Sequence, residues 1–330
     1  MLTPADLIQI PYTPDLTQAG IAYAGRSLPY TYDRMGGHPD ERLRRIVAGK
    51  AVELAFKRYL HQEQVPHDFL GLTPFTDPDQ YDVAIGGRRC DLKSFLLTDK
   101  RRIRAVRQEP DLLLSAPALV PSDQCRPDPD RDGDLYIFAF LSALLAPGWS
   151  ATRAAQQAGQ PLHLMFALPP AWARPKSWGT LGTLVLKSNC QQRIKVEVGG
   201  QGAERQFQAE QIMLIPGQRT HTRQDFHTLS HIHTPHLPDG PVGVYSPQLD
   251  ESLVIEPGQW ANVWVYGLEL WLVGYITRQE FQSRARLLPA GKRVFQYART
   301  RTENLSLAMT ELLPLADLFQ RARGWKARQK

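Results

Sequence analysis

The chain is poor in cysteine, and what it has is scattered. Cys90, Cys125 and Cys190 are the three thiols among 330 residues. An odd number at wide spacing gives neither a disulfide framework nor a C-x-x-C metal clasp. No apolar run reaches the roughly 18 residues of a membrane helix. The start, Met1-Leu2-Thr3-Pro4-Ala5-Asp6, lacks the basic stretch and apolar core of a signal peptide. A cytoplasmic location is therefore expected. A phosphate-binding loop is missing too, because Gly49-Lys50 has neither the upstream glycine nor the following Ser or Thr. Any ATP dependence would have to come from a partner. Asp123, Asp128, Asp130, Asp132 and Asp134 crowd one proline-rich segment, but the spacing and closing Glu of a calcium loop are absent.

What remains is the composition of a soluble globular protein, 42% hydrophobic and 22% charged. The length suits two domains, or one core with a large insertion. A net charge of +6 suits a polyanionic partner without naming one.

The most informative stretch is Tyr81-Asp82-Val83-Ala84-Ile85-Gly86-Gly87-Arg88-Arg89-Cys90-Asp91-Leu92-Lys93. Two short alternating runs around Gly-Gly predict a β-hairpin with a two-residue turn. Counting outward from the turn sets Ile85 against Arg88, Ala84 against Arg89, Val83 against Cys90 and Asp82 against Asp91. Lys93 shares the face of Asp91. Opposed carboxylates at about 5 Å repel by about 3 kcal/mol at an effective dielectric near 20. A hairpin built for stability would avoid that pairing. A divalent cation turns the repulsion into binding, since Mg²⁺ is held by one or two carboxylates plus substrate phosphate. Lys93 adds a point charge for a phosphate or a water.

These residues resemble the PD-(D/E)XK phosphodiesterases, the restriction-endonuclease-like superfamily, over residues of about 40–145. Asp82 matches the first metal-binding Asp, and Asp91-Leu92-Lys93 matches (D/E)-x-K. Tyr81 stands where the family has Pro. Pro78-Asp79 lies just upstream, but Asp79 would face away from Asp82. The resemblance implies an α/β fold, a mixed sheet with helices on both sides, and metal-dependent hydrolysis of DNA. It also implies an acidic residue from the first core helix. Glu53 is that candidate and Glu41 the runner-up. Glu53 equally makes an i,i+4 pair with Lys57.

Along the chain, residues 1–36 are rich in Pro, Tyr and Gly and read as an irregular arm with one short helix near Pro4–Ile8. Asp40 reads as the N-cap of a helix running to near His61. A strand is expected over 65–75. After the hairpin, Lys100, Arg101, Arg102, Arg104 and Arg107 put five cations in eight residues. That run suits phosphate contacts, or equally a solvated helix face. The continuous apolar run 135–145 reads as a buried central strand. The expected divisions are the arm (1–36), a nuclease core (37–148), a β-rich insertion for DNA recognition (149–260), and C-terminal strands and a helix rejoining the core (261–330). Gly199-Gly200 and Pro216-Gly217 are read as turns, and a final helix is expected over 303–323.

Five of nine histidines fall in 221–236: His221, His227, His231, His233 and His236. Without a nearby cysteine they are expected to be solvated loop residues, with zinc as the competing reading.

Three functions follow. The first is a Mg²⁺-dependent DNA endonuclease of restriction or defence type, in which Mn²⁺ can substitute. It would be catalysed by Asp82, Asp91, Lys93 and Glu53, and it would act on double-stranded DNA as a homodimer; DNA repair is its variant. The second is a catalytically inactive DNA-binding protein on the same fold. The third is a zinc protein organised by the histidines.

Overall fold

The computed structural model describes residues 2–30, 38–68, 82–125 and 128–328. The chain is a mixed α/β protein. A short 3-10 turn leads into β1 (Ile8–Pro11) and α1 (Pro14–Ser27), then α2 (Pro39–Gln62), β2 (His67–Asp68), β3 (Val83–Ile85) and β4 (Arg88–Leu97). Next come α3 (Lys100–Gln108), β5 (Pro117–Pro121) and β6 (Leu135–Leu145). Then follow α4 (Trp149–Gln157), β7 (Leu164–Ala167), α5 (Pro170–Ala173), β8 (Gly182–Ser188) and β9 (Ile194–Gln201). After these lie β10 (Phe207–Leu214), β11 (Arg219–Phe226), β12 (Thr228–Thr234), β13 (Val242–Ser246), β14 (Glu251–Ile255) and β15 (Ala261–Asn262). The chain closes with β16 (Val265–Thr277), α6 (Arg278–Arg284), β17 (Arg286–Leu288), β18 (Asn304–Ala308) and α7 (Leu315–Arg328).

Two compact units emerge. The first comprises 1–16, 48–144 and 266–330; the second comprises 17–47 and 145–265. The first unit holds a six-stranded sheet in the order β1-β16-β6-β4-β3-β2 and a small sheet β17-β18-β5. Strand β4 runs parallel to β6, with Asp91 beside Tyr136, Lys93 beside Phe138 and Phe95 beside Phe140. Partners in a parallel pair share a face, so this face becomes apolar one step beyond Lys93. Phe95 packs on Phe138 and Phe140, and Phe281 of α6 packs on Tyr136 and Phe138. Ile103 and Val106 of α3 belong to the same core. The other face carries Ser94 against α2, where a Cβ on Gly49 would lie 3.9 Å from Ser94 Oγ. Helix α7 packs Phe319 on Phe56 and Tyr59 of α2.

The second unit is two sheets, β10-β9-β12-β7-β15 and β11-β8-β13-β14.

Several expectations change. The arm over 1–36 contains a strand and a helix, because Ile8 and Ile10 alternate along β1 and Leu16, Ile21 and Ala24 bury one side of α1. Proline opens both α1 and α2, a position where its missing N–H costs nothing. Asp40 therefore sits inside the first turn of α2, not at the cap, and pairs with Arg44 at 2.6 Å. The strand expected over 65–75 is found at His67–Asp68 and not at Val65 and Pro66; residues 69–75, with Pro78, Asp79 and Tyr81, lie outside the described residues. Gly199-Gly200 is not a turn. Strand β9 runs through both, because a Cβ on Gly199 would meet the His231 ring at 2.2 Å and one on Gly200 would meet Thr228 O at 2.0 Å. The helix expected over 303–323 starts at Leu315, since Asn304–Ala308 pairs with β5 as β18.

Candidate active site

The hairpin closes in the register that the glycines dictate. Gly86 and Gly87 both have positive φ, 56° and 74°, as a type I′ turn requires. Val83 pairs with Cys90, Ala84 with Arg89 and Ile85 with Arg88. Asp82 departs from the expectation. It lies just outside the ladder, its N–H donates to Cys90 O at 3.0 Å, and its Oδ2 accepts from Leu92 N–H at 2.7 Å. The carboxylate thus bends along β4 instead of standing squarely opposite Asp91.

Asp91 and Lys93 share a face, as alternation demands. Lys93 Nζ lies 2.7 Å from Asp91 Oδ2 and donates to Gln124 Oε1 at 2.8 Å. It also lies 5.5 Å from the centre of the Tyr136 ring. With its side chain 14% exposed, the ammonium is held in place, not free to wander.

Glu53 approaches from α2, one turn beyond Gly49, and pairs with Lys50. It belongs to the same unit as Asp82, whereas Glu41 falls in the other. Asp82 is where these charges meet. Its carboxyl is pushed up to about 7, first by burial, then by the negative charges of Glu53 and Asp91. The Leu92 N–H and Lys93 pull the other way without winning. Lys57 is pushed down, first by burial and then by Lys50. The site sets a buried Asp82 among half-buried acids and lysines, Glu53, Asp91, Lys50 and Lys93.

The donor set fits a hard cation. It is all carboxylate oxygen, and burial first, then the negative charges of Glu53 and Asp91, raise the Asp82 carboxyl. Among the described residues, no three His, Cys, Asp or Glu side chains are grouped closely enough to hold a metal ion. Two carboxylates are enough for Mg²⁺, which keeps several waters.

Gln124, Tyr136 and Lys50 were not picked out from the sequence. Tyr136 was recoverable, because the parallel register of β4 with β6 places it beside Asp91. Nothing local marks Gln124, which sits in a 3-10 turn after β5. Cys90 lies under the hairpin with its thiol pushed up to about 12 by burial, which excludes it as a nucleophile. Asp134, one of the five aspartates of the proline-rich segment, is buried and clamped by Arg89 at 2.8 Å and Arg131 at 2.9 Å. It braces the hairpin from the strand opposite.

The basic run forms α3, capped by Asp99, which accepts from Arg102 N–H at 2.8 Å. Two of its cations are engaged inside the protein. Arg107 pairs with Glu269 at 2.5 Å, and Arg102 lies over Phe295 at 5.4 Å. Lys100, Arg101 and Arg104 are exposed opposite the buried Ile103 and Val106. For a chain that binds DNA, the reading proposed below, replacing these three by Ala should weaken that binding and lower the salt slope, log K against log salt, by about 2–3. Binding titrations from low to moderate salt check this, and an unchanged slope would remove α3 from the interface.

The histidine segment corrects the sequence reading in part. It forms β11 and β12, His231 is buried, and His221 and His236 are exposed as expected. His233 stacks face to face on His163, with ring centres 3.4 Å apart. Stacked rings do not converge their nitrogens on one ion, so this geometry disfavours zinc. Burial pushes His231 down to about 4 and His233 to about 3. Their unfolded forms titrate near 6.5. Below that value unfolding takes up protons, so this contribution is full above pH 6.5 and is lost as pH falls toward 4. Each histidine should add a slope of up to about 1.4 kcal/mol per pH unit. Denaturant unfolding between pH 7 and 5 measures it, and His231→Gln should flatten the slope.

No family model, no curated protein and no solved structure matches this chain.

Proposed function

We propose that the chain is a Mg²⁺-dependent endodeoxyribonuclease on a restriction-endonuclease-like core. The observation that carries this reading is geometric: Asp91 and Lys93 stand on one face of β4 with Nζ 2.7 Å from Oδ2, beside the buried carboxylate of Asp82 that accepts from Leu92 N–H at 2.7 Å. The order of elements adds support. Helix α2, strands β2, β3 and β4, helix α3 and strand β6 follow the helix, three strands, helix, strand order of the family resembled, with β5 intervening before β6 in a separate sheet and the four strands adjacent in one sheet.

Asp82 and Asp91 would hold the cation, with Glu53 reaching it through a water. When bound, such an ion supplies Lewis acidity at a phosphate oxygen. Lys93 does the rest that this chain can do alone. Fixed by Asp91 Oδ2 and Gln124 Oε1, its ammonium stabilises charge developing on the phosphate or orients the attacking water. The exposed cations of α3 supply sequence-independent phosphate contacts. Double-stranded DNA is the proposed substrate, with restriction or defence as the use and DNA repair as the variant. Cutting both strands calls for two sites, hence a two-fold dimer.

A second reading, DNA binding without chemistry, is favoured by one observation. Asp91 is already held by Lys93 and Glu53 by Lys50. Supercoiled plasmid incubated with the protein separates the two. Nicked or linear product in Mg²⁺, absent in EDTA, is the expected result. Retarded but intact plasmid in both Mg²⁺ and Mn²⁺ would establish the second reading instead.

A further inference from the structure

The first unit carries a second basic segment besides α3. From Ser283 to Thr302 the chain holds Arg284, Arg286, Lys292, Arg293, Arg299 and Arg301 and not one Asp or Glu. Arg284 is taken up by Glu311 at 2.6 Å. Arg286, Lys292, Arg293 and Arg299 are exposed and form no ion pair among the described residues. Like charges gathered in this way repel one another, and a polyanion relieves that repulsion.

The connection between β17 and β18 holds these cations at fixed places. Gly291 N–H donates to Thr300 O at 2.7 Å, Thr300 N–H to Lys292 O at 2.8 Å and Val294 N–H to Tyr297 O at 3.0 Å, so residues 291–300 fold back as a closed ribbon. The tip of the ribbon is anchored. Gln296 is buried, and its Nε2 donates to Pro117 O at 2.7 Å. Phe295 packs edge-on against Phe140 and Tyr297 edge-on against Phe95, with ring centres 6.3 and 6.2 Å apart. Phe95 follows Lys93 by two residues on the same face of β4, about 7 Å along the strand. Arg102 of α3 lies over the Phe295 ring. The ribbon therefore touches both the strand that carries Lys93 and the helix that carries Lys100, Arg101 and Arg104.

We propose that Arg286, Lys292, Arg293 and Arg299 form a phosphate-binding surface, continuous with α3, that grips the backbone of the DNA strand entering the Asp91–Lys93 face. A nucleic acid repeats its charge at every nucleotide, which suits cations spread along a loop and a neighbouring helix. Such contacts set the register of the strand and read no sequence. A ribbon already hydrogen-bonded in place makes them with little ordering cost. The assignment rests on the reading of the chain as a nuclease, and it adds where the strand is held outside the chemistry.

The test uses the full chain in EDTA, where cleavage is off, and a short labelled DNA duplex followed by fluorescence anisotropy from low to moderate salt. Lys292→Gln, Arg293→Gln and Arg299→Gln combined should weaken binding by about tenfold or more and lower the salt slope by about 2–3. Circular dichroism should not change, because all three side chains are exposed. Lys292→Arg, Arg293→Lys and Arg299→Lys combined preserves the charge and should preserve the slope. An unchanged slope in the Gln variant would overturn the proposal, as would an equal loss in the charge-preserving variant. Binding to phosphatidylserine vesicles in place of DNA would overturn it too and make this a lipid-facing surface. Plasmid cleavage is scored separately. Cleavage with an unchanged slope in the Gln variant sinks the surface alone, and a slope that falls as expected in a chain that never cleaves sinks the nuclease reading alone.

Discussion

Replacing Asp91 by Ala should abolish Mg²⁺-dependent cleavage of plasmid, by about 10³-fold or more, while leaving the protein folded and able to bind DNA. The side chain is 32% exposed and pairs with Lys93. Truncation opens no cavity in the core. Lys93 keeps Gln124 Oε1 and the Tyr136 ring after the carboxylate is gone. A purely structural ion pair of this exposure contributes about 1 kcal/mol or less. A structural role therefore predicts near-normal rates, and a catalytic one predicts near-zero rates at unchanged stability. Lys93→Ala should behave alike. Lys93→Arg should fail to rescue, because a planar fork does not replace a compact ammonium in a site this enclosed. Circular dichroism and DNA affinity measured alongside the rates separate loss of chemistry from loss of fold.

The second large effect has the opposite sign for stability. Asp82→Asn should stabilise the metal-free protein at neutral pH while removing its activity. An Asp carboxyl ordinarily titrates at 3.8, and here it is pushed up to about 7. Between those values the folded chain holds a proton that the unfolded chain has lost. Stability at Asp82 is therefore present at low pH and is lost as pH rises toward 7. The full linkage is roughly 4 kcal/mol. Glu53 and Asp91 share it, so a gain of about 2 kcal/mol is expected at pH 8, shrinking below pH 5. Asparagine retains an oxygen for the Leu92 N–H, so the backbone contact survives. Urea unfolding of both proteins at pH 8 and pH 5 makes the measurement. A destabilised variant at pH 8 would mean that Asp82 serves the fold. Added Mg²⁺ should stabilise the wild type and leave the variant unchanged.

The hairpin was legible because its determinants are local. Gly86 and Gly87 adopt the turn, and strand alternation fixes which residues share a face. The buried strand β6 was legible for a similar reason, since eleven consecutive residues of Leu135–Leu145 contain almost nothing that tolerates water. The departure of Asp82 from the ladder was not legible. It depends on a side chain choosing the Leu92 N–H over the pairing position, and alternation says nothing about that competition. Gln124 was beyond reach for a related reason, because 31 residues separate it from Lys93 and only the folded sheet brings them together. The histidines failed in the other direction. Thr, Ser and Pro between them look like loop chemistry, yet Gly25 and Gly199 leave room for the His231 ring inside the unit. A space made by absent side chains elsewhere leaves no mark on the residues that fill it.

The central claim is that Asp82 and Asp91 together bind one hard divalent cation. Titration of the protein with Mn²⁺, with the free ion followed by electron paramagnetic resonance, tests it without reference to any substrate. The account predicts one saturable site in the wild type, competed by Mg²⁺ and missing when both Asp82→Asn and Asp91→Asn are present. Binding of the same strength in that double variant, or none in the wild type, would contradict it.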